Sequence, residues 1–377
     1  MILPVCCLLL SPITPCSGAA YREALKAQSP VDAEVLFRRA AEGDPSCANA
    51  RTNLGLSLAA QGRLSEAESE TRTALRIAPK SPLALAALGK ILNRLGRKEE
   101  SINVFEQATA VENSSEEAWQ NLGIALADMG ERERARRAFS RAVRVAPKSA
   151  RAHSNLGRTL LELLRYAEAR TELDIARALD PQNLDALSLL TLAEKGMGHH
   201  KRTALLGMQW VAQDPGSAEG HFVLGQAELN LGNRDAGIAN LKRAAELDEN
   251  HAEALYALSR ALADSDPEAA RRYTERVRTL KRRSQESDRL TMLRSQAVTS
   301  AAGGDWPGAI AQFRDALDSC GNCSMRADLE KSLGLAYCHA GDFDSGEFHL
   351  RAAQKLKPAD SDVKQALNLI AERRRNK

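Results

Sequence analysis

Aromatic residues make up only 4% of this chain of 377 residues, and proline occurs 13 times. So few large, flat side chains leave little to build a sheet, while the abundance of Ala, Leu, Glu and Arg favours helices. A strong charge of one sign is also missing: 52 basic residues stand against 49 acidic ones, for a net charge of +3. No global field therefore draws the whole molecule onto nucleic acid or an anionic membrane, and basic binding would have to be local. No HExxH pair, phosphate loop or nucleophile elbow occurs, and paired carboxylates such as Glu116 and Glu117 fall inside helical pattern. A non-enzymatic protein without cofactor is the expectation.

Long apolar runs are absent beyond the first twenty residues, MILPVCCLLLSPITPCSGAA, so no later segment is expected to span a membrane. That first stretch ends in the small residues Ser17, Gly18 and Ala19 and reads as a secretory signal over 1–20, although no Lys or Arg precedes it. Export to the periplasm or envelope is the expectation, with a cytoplasmic location as the alternative. Three of the seven cysteines, Cys6, Cys7 and Cys16, would leave with it, and Pro15 before Cys16 disfavours a lipid anchor.

What the chain has is a period. The stretch Glu116–Ser149 carries Trp119, Leu122, Gly123, Ala135, Phe139, Ala142 and Pro147, and a step of 34 residues in either direction meets the same residue types. Gly55, Gly89, Gly123 and Gly157 keep that interval without slippage. Each unit reads as two antiparallel helices. The glycine lets the second helix approach the first, Phe139 and Leu122 fill the space between them, Ala142 admits the next unit, and Pro147 ends the second helix. One pair buries only one side, so several must stack, and a repeat array grows this way without enlarging a single core.

This pattern of Trp, Leu-Gly, Ala, Phe, Ala and Pro resembles the tetratricopeptide repeat family. The resemblance covers residues from about 30 to 358 and is strongest over 48–181. It implies an all-α, right-handed superhelical solenoid of helix pairs that binds peptide or protein segments in a groove lined by the first helices. Pentatricopeptide RNA readers are disfavoured, because they lack the Leu-Gly and Ala columns. The expected divisions are repeat units over 21–263, a long basic helix and irregular junction over 264–294, repeat units over 295–358 and a capping helix over 359–377.

Several places depart from the pattern. Thr191 replaces the glycine of the Leu-Gly column, and Trp210 stands where Ala142 stands in its own unit, so either the units repack there or the indole is partly exposed as an anchor for a partner. His199 and His200 read as a surface turn, not a metal site. The basic run of Arg271, Arg272, Arg276, Arg278, Lys281, Arg282 and Arg283 lacks interleaved aromatics, so it reads as a solvated helix face or an acidic-protein contact and not as a nucleic-acid site. Cys320 and Cys323 lie in an insertion of about three residues. Ser324 excludes a haem motif, which leaves a disulfide, free thiols or two zinc ligands, and export favours the disulfide.

Asn53, Asn121 and Asn155 precede Leu-Gly in three units. This recurrence resembles the asparagine ladder in the repeat arm of O-linked N-acetylglucosamine transferases, which implies amides that grip a peptide backbone by donating to carbonyls and accepting from N–H groups. Ala87, Leu189 and Val223 break the ladder, and no transferase domain follows. Neighbouring groove candidates are Asn49, Lys90, Gln120, Arg151 and Arg158. The competing reading is that the amides bond to one another between adjacent first helices. The expected role is a scaffold for a protein or peptide partner, without nucleic acid; an accessory subunit of a separate enzyme such as a glycosyltransferase, or a structural spacer, are the alternatives.

Overall fold

The computed structural model describes residues 18–111, 115–321 and 323–375. The apolar run expected to be a signal, with Cys6, Cys7 and Cys16, lies outside the described residues, except for 18–20. Two compact units follow one another, the first ending at Leu247 and the second starting at Asp248. Among the described residues every regular element is a helix.

The first unit opens with α1 (Ala19–Ala24) and α2 (Pro30–Gly43). Helix pairs follow as α3 (Ala48–Ala60) with α4 (Leu64–Ile77), α5 (Pro82–Arg94) with α6 (Lys98–Ala110), and α7 (Glu116–Asp128) with α8 (Arg132–Val145). Then come α9 (Ala150–Glu162) with α10 (Tyr166–Leu179), α11 (Leu184–Gly196) with α12 (His200–Gln213), and α13 (Ala218–Asn230) with α14 (Arg234–Leu247).

Each first helix starts at a residue whose side chain accepts the N–H three positions on: Cys47, Ser81, Ser115, Ser149, Asn183 and Ser217. These caps satisfy a donor that the helix itself leaves orphaned. The turn to the second helix needs a left-handed residue, supplied by Gly62, Gly96, Gly130, Gly198 and Gly232. In the unit between them Leu164 adopts the same turn at φ 58°.

The pairs interlock where the sequence places its glycines. A Cβ on Gly123 would sit 2.5 Å from Phe139 Cε1, and one on Gly157 would sit 2.5 Å from Leu173 Cγ. Between units the contact is Ala against Ala: Ala74 and Ala84 are both fully buried in one cluster.

The unit that departs from the pattern changes residues at both contacts, and at the contact with the next unit the large and small partners exchange. Thr191 occupies the glycine position and is buried, while Gly207 stands sixteen positions on, where Phe139 and Leu173 stand in their units. Trp210 is buried at 6% exposure, and Gly220 of the next helix has given up the alanine methyl. A Cβ there would lie 3.2 Å from Trp210 Cδ2. Repacking therefore absorbs the indole, which is not the partly exposed partner anchor that the sequence allowed.

The second unit comprises α15 (Ala252–Leu262), α16 (Pro267–Ala302), α17 (Trp306–Cys320), α18 (Arg326–His339), α19 (Phe343–Leu356) and α20 (Ser361–Arg375). α16 is one unbroken helix of 36 residues, about 54 Å long at 1.5 Å per residue. Its first part packs on α15 and its last part on α17, where Leu290 and Ala297 join Phe313, Leu329 and Leu333. Residues 281–289 between those parts are exposed throughout. α20 covers the end of the stack with Val363 and Ile370 against Leu350 and Ala353. Its Arg374 reaches Glu347 at 2.7 Å, and Arg373 lies over the Phe343 ring at 4.3 Å.

Candidate peptide-binding face

The eight residues singled out by sequence fall on four successive first helices: Asn49 and Asn53 on α3, Lys90 on α5, Gln120 and Asn121 on α7, and Arg151, Asn155 and Arg158 on α9. Five of them are engaged within the chain. Asn53 donates from Nδ2 to the Tyr21 hydroxyl at 3.2 Å. Asn155 donates to the Gln120 side-chain carbonyl. Gln120, completely buried, donates in turn to Glu116 Oε1 at 2.8 Å, which also accepts from the Ser149 hydroxyl at 2.5 Å.

Two cations on this face bridge to the following first helix. Lys90 meets Glu117 at 2.7 Å, and Arg158 pairs with Asp185. Lys90 holds the Glu117 carboxyl below its usual range. Asn49, Asn121 and Arg151 remain with donors to spare. The Asn121 amide nitrogen is buried without a well-formed hydrogen bond, although it adds slightly to holding Glu117 ionised. A buried donor left unmade costs roughly 1–3 kcal/mol.

Where the amide ladder is broken, the face becomes apolar. A cleft of 230 Å³ opens among α3, α5 and α7, floored by Leu56, Leu83, Ala86 and Ala87 and rimmed by Lys90 and Glu117. Ala86 and Ala87 hold the positions of Gln120 and Asn121, one unit earlier. Leu83 is 42% exposed and Ile124, next along the face, 44%. Sequence reasoning passed over Leu56 and Leu83. The signal was a spacing of 27 residues: Leu56 and Leu83 occupy the pair of positions held by Lys90 with Glu117 and by Arg158 with Asp185.

A second missed pattern has a spacing of 19 residues and ties four of the first helices to their own second helices. Arg51 meets Glu70 at 3.0 Å, His153 meets Glu172 at 2.6 Å, His221 meets Asn240 at 3.0 Å, and in the second unit Glu330 meets His349 at 2.8 Å.

The remaining candidates are settled locally. His199 faces Glu194 at 2.7 Å, and no group of three metal-binding side chains occurs among the described residues. Arg272, Arg276 and Arg278 of the basic helix pair with Glu268, Glu249 and Glu275. Cys320 and Cys323 are joined in a disulfide that closes the turn after α17. Cys338 is a free thiol in α18, and burial pushes its pKa up. No helix among the described residues is long and apolar enough to cross a membrane.

Stacked helix pairs on a period of 34 residues, most of them locked by a glycine and with most first helices capped by a side chain, define a helical repeat protein whose long side-chain-lined faces suit it to contact other proteins. Tetratricopeptide-repeat models match at 24–91 and 58–127, at 121–183 and at 218–251, together just over half of the chain. The chain belongs to the tetratricopeptide-repeat family.

Solved structures with a similar fold include the PilF protein of Pseudomonas aeruginosa, at 24% identity over 51% of this chain and 87% of that one, TM-score 0.46. Others are a tetratricopeptide repeat protein from Parabacteroides merdae, at 15% identity over 77% and 98%, TM-score 0.47, and MamA from Desulfovibrio magneticus, at 23% identity over 45% and 96%, TM-score 0.42. These likenesses concern the fold alone. No curated protein matches the chain.

Proposed function

We propose that the first-helix face of the first unit receives an extended segment of a partner protein, and that the chain acts as a non-catalytic scaffold. The cleft carries this reading. It offers an apolar side chain of the segment a seat on Leu56, Leu83 and Ala87, beside an ion pair that fixes direction. One and two helix pairs further on, Asn121 and Arg151 offer a donor to the backbone and a charge to an acidic side chain or terminus. Extended recognition of this kind takes affinity from main-chain hydrogen bonds and specificity from side-chain pockets. We also propose export, supported by the apolar run at 1–20 and by the Cys320–Cys323 disulfide, which persists in an oxidising compartment.

A photo-crosslinking residue at Leu83, used in envelope and cytoplasmic fractions of the producing cell, tests both parts. One adduct is expected in the envelope fraction, and Ala87→Arg, which fills the cleft, should reduce it at least about tenfold. Asn121→Ala combined with Arg151→Ala should weaken the same adduct without loss of helicity. An adduct indifferent to all three substitutions would discard the proposed face, and an adduct confined to cytoplasm would discard export.

A further inference from the structure

A groove of 460 Å³ lies on another side of the helix pairs, between α6 and α8, with Trp119, Leu122 and Leu126 as its floor. Its existence follows from the pattern of 19 residues described above. Four helix pairs close this position with a polar pair and others fill it with two apolar side chains, such as Leu85 with Val104; this one sets Trp119 against Ala138, and both line the groove. The methyl of Ala138 cannot reach across, so the space stays open.

The walls are cationic. Along α8, Arg134, Arg137, Arg141 and Arg144 recur at intervals of three, four and three, which puts their guanidinium groups on one stripe of the helix. Among the described residues only Glu106 contributes a lining carboxylate, and Arg134 already takes it at 2.8 Å. Arg136 is paired with Glu133 at 2.9 Å. Arg137, Arg141 and Arg144 make no ion pair among the described residues, although Arg137 acts weakly on Glu133 from a distance. Three like charges on one helix face repel by a few tenths of a kcal/mol per pair, and no carboxylate among the described residues pairs with them to offset it.

We infer that this groove binds an acidic, extended peptide segment of another protein, with carboxylates at alternate positions and an apolar side chain over the Trp119 floor. Spacing decides the form. Arg137 and Arg141 are about 6 Å apart along the axis and Arg144 about 4.5 Å further, whereas an extended chain presents side chains of one face every ~6.6 Å. Two or three carboxylates can thus each find a guanidinium, in charge-assisted bonds stronger than neutral ones. The stripe is only about 15 Å long, and its single aromatic ring gives no series of stacking platforms, so a nucleic-acid strand is the poorer fit.

The probe is a short fluorescein-labelled peptide alternating Glu and Ser around one central Leu, titrated into the full chain at low salt. Saturable binding is expected, weakened by added salt and reduced at least about tenfold by Arg137→Gln, Arg141→Gln and Arg144→Gln together. All three side chains point to solvent, and circular dichroism checks that the helices persist; Arg141→Gln alone provides a milder variant expected to show a smaller loss in the same direction. Ala87→Arg, in the cleft on the other face, should leave this affinity unchanged, so the two sites fail or stand separately. No binding, equal affinity of the triple variant, or loss of affinity in Ala87→Arg would overturn the inference. Displacement of the peptide by an equally short oligothymidine that binds tighter and needs the same arginines would also overturn it, in favour of nucleic acid.

Discussion

At the scale of single residues, the repeat tolerates a few costly exceptions, and these are the sensitive points. Leu164 sits at φ 58° with its side chain 69% exposed, in a turn where five equivalent positions are glycine. A branched side chain in that region costs of order 1–3 kcal/mol with no burial to offset it. Leu164→Gly should therefore raise the urea midpoint by the equivalent of about 1 kcal/mol, after allowing for glycine's greater unfolded entropy; a lower midpoint would mean that the leucine is held by something other than the turn. Glu34 shows a different local effect. Hydrogen bonds from Arg38 first, then from Gln61 and Arg63, hold its carboxyl at about 2. A depressed carboxylate stabilises the fold above its unfolded value and stops doing so as pH falls through the folded one. The stability difference between the wild-type chain and Glu34→Gln should thus be constant above pH ~4.5 and shrink toward pH ~2; a difference independent of pH over that window would contradict the assignment.

At the scale of helices, the lesson lies in paired exceptions. Trp210→Ala should cost about 3–5 kcal/mol as a large-to-small change in a buried contact, and Gly220→Ala about 1–3 kcal/mol by crowding the indole. Made together they recreate the Ala–Ala contact of the other units, so the double variant should lose clearly less than the sum, by at least about 1 kcal/mol; thermal or urea unfolding of the three variants measures it, and simple additivity would show that the two side chains do not share the contact. This pairing also marks what could be read from the sequence. The glycine column, the caps and the turns were legible because each follows from one residue at a fixed interval. Trp210 looked like decay because its compensation, Gly220, lies ten positions on and only makes sense once the helices face each other. The candidate face was less legible still. Asn155 and Gln120 bear amides equally able to hold a peptide or each other, and only the distance between adjacent first helices decides in favour of each other. The apolar cleft was hidden because Leu56 and Leu83 look like ordinary core residues in a chain that is 44% hydrophobic.

At the scale of the molecule, inter-unit contacts repeat as regularly as the helices. Arg63 bridges to Glu34 at 2.7 Å, Arg97 to Glu68 at 2.8 Å and Arg134 to Glu106 at 2.8 Å, each joining one helix pair to the pair before it. Such exposed pairs contribute little singly, and most of the stability comes from neighbour-to-neighbour burial. α16 is the exception to that rule, since the stretch 281–289 is exposed along its whole length and buries no side chain against a neighbour. A segment of this kind opens by itself at a small fraction of the global cost. It also carries Lys281, Arg282 and Arg283, so the helix offers trypsin its own cutting site at the place where it unwinds most cheaply. Brief digestion should nick the chain there first, leaving one piece that ends near 283 and one that begins near 284. A first cut among the equally arginine-rich turns of α8 would mean that the bare middle of α16 is firmer than its isolation implies. For a protein exposed to proteases, that rod would be the point at which its working life ends.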